Sequence, residues 1–595
     1  MNTEELASIY HLPSVAVETP NIVWAGSKKG EPPSNLPLEG RDLTNEVTYF
    51  GTTDFRNFRH KFGIKSHDRR LHMYTIGKTG TGKSTLLMNM ILDDIQKGRG
   101  VGVVDPHGQL IYHILQRIPP HRINDVIYFN PADREYPIGF NVLENINPDL
   151  RNVVASGVIS IFKKLFAESW GPRLEYILRN ALIALLHYPD TTLLGVNRML
   201  VDPAYEHRIL RKVTDPVVRD FFENEYDKYD PKFRREAIAS IQNKIGQFLS
   251  TATIRNILGQ PNSTIDIRKI MDNQKIFLMD LSIGKIGEDS AALLGALLIT
   301  KIQLAAMGRA DVPEEERLDF YLYVDEFQNF ATESFAIILS EARKYHLNLV
   351  LTNQYIAQMS EIVAKAVFGN VGTIVSFRVG PSDAGALVKE FEPVFEAIDL
   401  INLDNFHVYV KMAIDGVTRP AFSAKTLPPG DLLEQGNLEK IVRVSRERFA
   451  KSRDVVEGKI LEWADQRPED QKPNARDEKN FLLNDDVKIQ SGQGSGGVVK
   501  KYGDFVFVRK IEAKKQISTR VPDKVKESSR KPSKKTNFKD QTHSKKPQKS
   551  LIRDEDIDHL RQMAESGFLT SGEEINLSPN PLSGEKGEEG DKLTR

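Results

Sequence analysis

Cysteine is absent from the 595 residues of this chain. That excludes disulfide staples, thiolate metal sites and cysteine nucleophiles, and it fits a reducing compartment. Net charge is absent as well: 81 Lys and Arg stand against 81 Asp and Glu, so overall charge points to no class of partner. No uninterrupted apolar run reaches membrane-spanning length. The best candidate, "AALLGALLITKIQLAAM", is broken by Lys301 and reads as a buried helix. The opening "MNTEELASIYHLPS" carries acids where a secretory signal would carry positive charge. The expectation is a cytoplasmic chain with no membrane segment of its own, built of roughly two to four structural units.

What the sequence does contain is "MYTIGKTGTGKSTLLMNM", from Met73 to Met90. It reads as an apolar strand end, a glycine-rich turn and the first turns of a helix. Gly77, four residues, then Gly82-Lys83-Ser84 is the spacing of a phosphate-binding loop. Gly77, Lys78, Thr79, Gly80, Thr81, Gly82, Lys83, Ser84 and Thr85 form the candidate nucleotide cradle. The glycines let successive N–H groups curl around a phosphate chain. Lys83 brings a point charge to the β- and γ-phosphates, and the Ser84 hydroxyl is a ligand for Mg²⁺. ATP and Mg²⁺ are the implied cofactors.

Around this motif the pattern is α/β. "LHMYTI", "GVGVVDP" and "DVIYFNP" read as strands alternating with helices, which argues a parallel-rich sheet covered on both faces. Strands then stop, and residues 151–265 carry apolar residues at three-to-four spacing, the mark of an inserted all-α domain. Strands return with "KIFLMDLS", "FYLYVDE", "LNLVLTN" and "TIVSFRV", followed by a hairpin turning at Asp415-Gly416. The expected units are an irregular N-terminal arm (1–68), an ATPase domain in two parts (69–150 and 266–436) around the insertion, and a flexible linker and charged tail (437–595). Within that tail Lys500–Arg553 holds 18 Lys and Arg against 5 acids, and the end turns acidic. Such a tail reads as disordered and solvated, or as a hold on nucleic acid or a partner.

Hydrolysis needs a carboxylate for the metal and a group that orients water. Two strands end in aspartate, at Asp280 and at Asp325, but only the second is followed by a glutamate. Asp325 is the candidate metal ligand and Glu326 the candidate water-polarising group, while Asp280 reads as a turn cap. "LNLVLTN" delivers Gln354 to the same sheet edge, where an amide can sense the γ-phosphate. Two arginines, Arg343 and Arg378, are candidates for a finger reaching a neighbouring subunit, and spacing alone does not choose between them.

"TIGKTGTGKSTLL", "GVGVVDPHGQL", "SWGPRLEYILRNALIAL", "LYVDEFQNF", "ARKYHLNLVLTNQY" and "VSFRVGPSDAGALV" together resemble the HerA/FtsK superfamily of DNA translocases. Within it the resemblance is to the TraG/TraD/VirD4-like coupling proteins of conjugation and type IV secretion, over roughly residues 70–426. The resemblance implies a RecA-like P-loop motor with an all-α domain, working as a homo-hexamer on DNA with ATP between subunits. It implies Lys83 and Ser84 on phosphate and metal, Asp325 on the metal, Glu326 on water, Gln354 as sensor and Arg343 as the finger supplied in trans. It implies partners among relaxosome proteins, with a TraM-recognition-like region after "LYVDEF", and among secretion-channel proteins, hence membrane association through partners. Lys232, Arg234 and Arg235 are placed at the channel mouth, able to touch phosphates or to form a solvated face. Many such coupling proteins begin with membrane helices, and none is expected in this chain. The alternative reading is a VirB4-like ATPase that drives channel or pilus assembly without moving DNA.

Overall fold

The structure is a computed structural model that describes residues 27–41, 45–56, 58–144, 147–430, 434–465, 497–502 and 505–510. The fold is α/β, and its centre is a sheet of twelve strands with parallel and antiparallel parts. These are β1 (Val47–Thr53), β2 (Lys61–Lys65), β3 (Met73–Ile76), β4 (Gly100–Asp105), β5 (Val126–Phe129), β6 (Ile276–Asp280), β7 (Phe320–Val324), β8 (Leu347–Asn353), β9 (Thr373–Ser376), β10 (His407–Ile414), β11 (Val417–Thr418) and β12 (Phe422–Thr426). The order is β2-β1-β12-β10-β9-β3-β8-β7-β4-β6-β5, with β11 paired to β10 off that path. From β9 to β5 every pairing is parallel. From β9 through β10, β12, β1 and β2 every pairing is antiparallel.

The parallel strands are buried along their length, as strands covered on both faces must be. Their period of two sorts side chains into two cores. In β4, Val101 and Val103 join the core that includes the phosphate-loop helix Lys83–Gln96, while Val104 faces the other. In β7, Tyr321 and Tyr323 go to the first core and Phe320, Leu322 and Val324 to the second. The second core runs without a break into the helices that fill the chain between β5 and β6, among them Arg151–Leu165, Pro172–Leu186 and Pro231–Ser250. β5 and β6 are parallel neighbours, so this helical insertion also serves as their crossover connection. Helix Glu288–Asp311 is the one described helix long and apolar enough to cross a membrane, and 72% of its apolar window is buried inside the fold.

Two boundaries differ from the expectation. The segment read as an irregular arm supplies β1 and β2, and β1 pairs with β12, Gly51 opposite Thr426. "EVTYF" and "KFGI" are readable as short extended pieces, but the partner of β1 lies at the far end of the matching sequence, so local pattern does not reveal their place in the sheet. The region assigned to a flexible linker begins instead with two helices, Leu438–Phe449 and Arg453–Asp465. The first buries Ile441 and Ser445 and takes the Tyr128 N–H onto Ser445 Oγ at 2.9 Å. Its many charges line the remaining faces and mask the short apolar stripe. The first residues, the glycine-rich linker, most of the basic block and the acidic end lie outside the described residues, apart from a two-stranded ladder of Gly497–Tyr502 with Phe505–Lys510.

Candidate functional site

The phosphate loop hangs from the end of β3, which lies between β8 and β9, with Ile76 opposite Asn353 and Ser376. Both neighbours hold it. The Gly77 N–H donates to the Asn353 carbonyl (3.3 Å) and the Lys78 N–H to the Arg378 carbonyl (2.9 Å). Gly77 lies so close to Phe377 that an added Cβ would sit 2.5 Å from the Phe377 Cβ, so only glycine fits. Gly82, at φ 118°, occupies a backbone region that side chains avoid and turns the chain into the helix. Thr81 is buried, its hydroxyl donating to the Lys78 carbonyl (2.7 Å), while Lys78, Thr79 and Gly80 stand exposed at the rim. Ser84 is exposed in the first helical turn. The amino-terminal end of a 14-residue helix, with its free N–H groups and positive dipole end, faces this rim.

Lys83 is only 6% exposed, and its ammonium donates to the carbonyls of Gly77 (2.5 Å) and Lys78 (3.3 Å). Burial pulls its pKa down, and the charges of Glu326 and Asp325 pull it back up. The lysine and the two acids, distant in sequence, therefore meet at one carboxyl edge of the sheet.

Asp325 is buried where β7 ends. Its Oδ1 accepts from Thr352 Oγ1 (2.6 Å) and from the Glu326 N–H (3.1 Å). Burial raises its pKa, and the nearby Asp105 and Glu326 charges add to the rise, against the Thr352 bond and Lys83. Glu326 takes a left-handed backbone, φ 46°, rare for a non-glycine residue and the sort of strain that clusters at functional positions. Its two carboxylate oxygens are each held by an amide: Oε1 accepts from Gln354 Nε2 (3.0 Å) and Oε2 from Gln328 Nε2 (2.7 Å). The hard oxygen donors that suit Mg²⁺ at this edge are Ser84 Oγ and the Asp325 carboxylate.

The strand-end Asp280 is fully engaged as a cap. It accepts from the Ser282 N–H and hydroxyl and, through Oδ2, from Tyr128 Oη (2.8 Å). Arg378 stands beside the loop of its own chain, its Nη2 on Asn405 Oδ1 (3.0 Å). Arg343 does not join the cluster. It is exposed in the short turn Ala342–Tyr345 before β8, close enough to His72, ahead of β3, for its charge to add to the burial that holds that imidazole at about pKa 4. That is the opposite edge of the sheet, on the order of 20 Å along β8 from Gln354. Of the helical basic residues, Arg234 is occupied inside the insertion. It pairs with Asp227 (3.3 Å) and Glu206 (3.6 Å) and lies over the Tyr226 ring (4.3 Å). Lys232 is exposed.

Sequence reasoning missed Thr352, Gln328 and Asp105. Asp105 ends β4, so three strands and not two run into an aspartate at this edge; it accepts from the N–H groups of His107 (2.8 Å) and Ile111 (3.1 Å), bracing the turn of "DPHG". The signal available for Thr352 was its place two residues before Gln354, on the same strand face.

A parallel sheet with a phosphate loop and two strand-end acids at its carboxyl edge defines a RecA-type nucleotide-binding fold. The chain belongs to the family described as the type IV secretion-system coupling protein DNA-binding domain, whose model matches residues 61–391, more than half of its length. The fold is similar to that of the plasmid coupling protein TrwB in complex with a non-hydrolysable ATP analogue. Identity is 18%, the match covers 69% of this chain and 97% of that one, and the TM-score is 0.50. TrwB in complex with ADP and Mg²⁺ matches at 17% identity, 69% and 98% coverage and TM-score 0.48. VirB4 of Thermoanaerobacter pseudethanolicus matches at 12% identity, 64% and 96% coverage and TM-score 0.47. No curated protein matches the chain.

Proposed function

We propose that this chain is the ATP-hydrolysing motor of a coupling complex, which binds DNA and moves it through a homo-hexameric ring with ATP held between subunits. The observation that carries this reading is the convergence of Lys83, Asp325, Glu326 and Gln354 at one sheet edge, within a DNA-binding family of coupling proteins. The loop N–H groups and Lys83 hold the triphosphate, and Ser84 and Asp325 hold the metal. Mg²⁺, when bound, neutralises the β- and γ-phosphate oxygens. Glu326, steadied by Gln328 and Gln354, orients and polarises water; Gln354, bonded to the same carboxylate, is placed to register the γ-phosphate. Arg343, exposed on the opposite edge, is the group offered to the site of the next subunit. In this reading strands β1 and β2, the 69–150 and 266–436 segments and helix Leu438–Phe449 form one ATPase domain, and 151–265 is the all-α domain at the channel mouth. Relaxosome and secretion-channel proteins are its partners and bring it to the membrane.

The test is ATP hydrolysis by the full chain with single-stranded, double-stranded or no DNA. DNA raises the rate, and added salt weakens the stimulation. Lys83→Ala abolishes nucleotide binding, and Glu326→Gln retains ATP without turning it over. A rate indifferent to every form of DNA favours an assembly ATPase over a translocase, and a Glu326→Gln variant as fast as the parent removes Glu326 from the chemistry.

A further inference from the structure

Phe406 is no part of the loop motif, yet its ring packs on Gly82, where an added Cβ would lie 2.9 Å from the ring Cδ1. Its backbone is left-handed, φ 67°, a region that bulky residues avoid and that asparagine and glycine tolerate. Neighbouring elements fix that conformation from both sides. The Phe406 N–H donates to the Thr81 carbonyl in the loop (3.0 Å), and its own carbonyl accepts from the Thr426 N–H (2.8 Å) and hydroxyl (3.2 Å).

The ring held in this way is not core. It is 44% exposed and stacks with no other aromatic ring among the described residues. It stands at the start of β10, which runs antiparallel to β9 with Tyr409 opposite Ser376. Phe406 therefore sits at the carboxyl edge, level with the loop. Beside it the chain after β12 is fastened to the phosphate-loop helix. Asn89 Nδ2 donates to the Leu427 (3.2 Å) and Pro428 (2.8 Å) carbonyls, and Asn89 Oδ1 accepts from the Gly430 N–H (3.1 Å). The result is a rigid apolar shelf alongside the cradle.

We propose that the exposed face of Phe406 is the platform on which the base of the bound nucleoside triphosphate stacks. This rests on the reading of the loop as a nucleotide site. A triphosphate gripped by the loop leaves ribose and base to extend beyond it, and a flat aromatic face beside the loop meets the base without reading its edges. The shelf adds affinity and little choice between purines, because every base has a π-face.

The experiment compares the full-length parent with Phe406→Asn and Phe406→Trp, titrated with a non-hydrolysable ATP analogue, the matching GTP analogue and inorganic tripolyphosphate. Each is also melted without ligand. Phe406→Asn binds both nucleotide analogues on the order of 5- to 150-fold more weakly and binds tripolyphosphate like the parent. Its melting temperature stays the same or rises, because asparagine suits the left-handed backbone. Phe406→Trp keeps nucleotide affinity, and its added fluorescence is quenched by the nucleotides and not by tripolyphosphate. Unchanged nucleotide affinity in Phe406→Asn overturns the proposal. So does an equal loss for nucleotide and tripolyphosphate, which makes the ring a mere support of the loop. If Phe406→Asn does not fold, an indole in Phe406→Trp that is blind to nucleotide overturns it. A parent that binds tripolyphosphate and no nucleotide overturns it as well, and a parent that binds none of the ligands removes the nucleotide reading itself.

Discussion

Thr352 touches both acids: its hydroxyl donates to Asp325 and accepts the Glu326 N–H (3.3 Å). Removing it leaves Asp325 more easily protonated and less well aimed. Thr352→Val raises the Mg²⁺ concentration needed for half-maximal ATP hydrolysis by roughly 10- to 100-fold, while Thr352→Ser stays near the parent; a Mg²⁺ titration of the rate measures this. A different residue sets a pH effect. Glu206 is buried in the insertion, and burial, with help from Asp227 and against Arg234 and His207, lifts its carboxyl to about 7. The folded chain thus holds this proton more tightly than the unfolded chain, so stability is fully present below about pH 4.5 and is lost as pH rises through 7. Glu206→Gln removes that loss: in melting experiments its gain over the parent grows between pH 5 and 8. At this scale the sequence was legible where chemistry dictates residue type and position together, as at Lys83, Asp325, Glu326 and Gln354. It was not legible at Thr352 or Gln328, because a small polar residue at a strand end or an amide in a turn reads as ordinary solvent-facing structure until its partner is seen.

Elements join the site to the rest of the molecule. Lys164, near the end of insertion helix Arg151–Leu165, donates to the Gln328 (2.8 Å) and Asn329 (3.0 Å) carbonyls in the turn that follows Glu326. Burial brings its pKa down to about 8, so the ammonium persists at neutral pH. The insertion therefore holds the turn that carries Gln328, the amide on Glu326 Oε2. Lys164→Met lowers the ATPase turnover by roughly tenfold, the worth of a lost charged hydrogen bond expressed in the transition state, with nucleotide affinity unchanged. Comparing kcat with the nucleotide Kd checks it. The parallel strands were readable because buried β-branched and aromatic runs admit few other structures. β1 and β2 were readable only as extended pieces, because the strand that pairs β1 into the sheet, β12, lies more than 350 residues away in sequence, and helix Leu438–Phe449 was hidden by the charges around its narrow apolar stripe.

Across the whole molecule the sheet places the loop with its acids on one edge and Arg343 on the other, which the proposed function reads as two halves of a shared site. In the ring proposed above, the second edge of one subunit meets the first edge of the next. The expected outcome is complementation with a defined pattern. Arg343→Ala alone reduces hydrolysis by about 10³-fold or more, and its intact loop still binds nucleotide. Mixing it with Lys83→Ala subunits, each silent alone, restores measurable ATPase, because mixed rings contain interfaces with an intact loop on one side and an intact arginine on the other. No recovery on mixing places the arginine outside the neighbouring site. No single-chain pattern makes this arrangement legible, since an exposed arginine at a helix end is also what dipole compensation alone produces.

The pairing of β1 with β12 joins Gly51 to Thr426. During synthesis the β1–β2 hairpin emerges well before β12, so one side of β1 keeps its backbone donors and acceptors bare until the ribosome has passed Thr426, a wait of roughly 20 to 75 seconds at ordinary elongation rates. An open strand edge is an adhesive surface. The nascent chain thus carries a sticky strand edge throughout that interval, and completing the sheet is a late zippering event that depends on β1 and β12 finding each other before a neighbour intervenes.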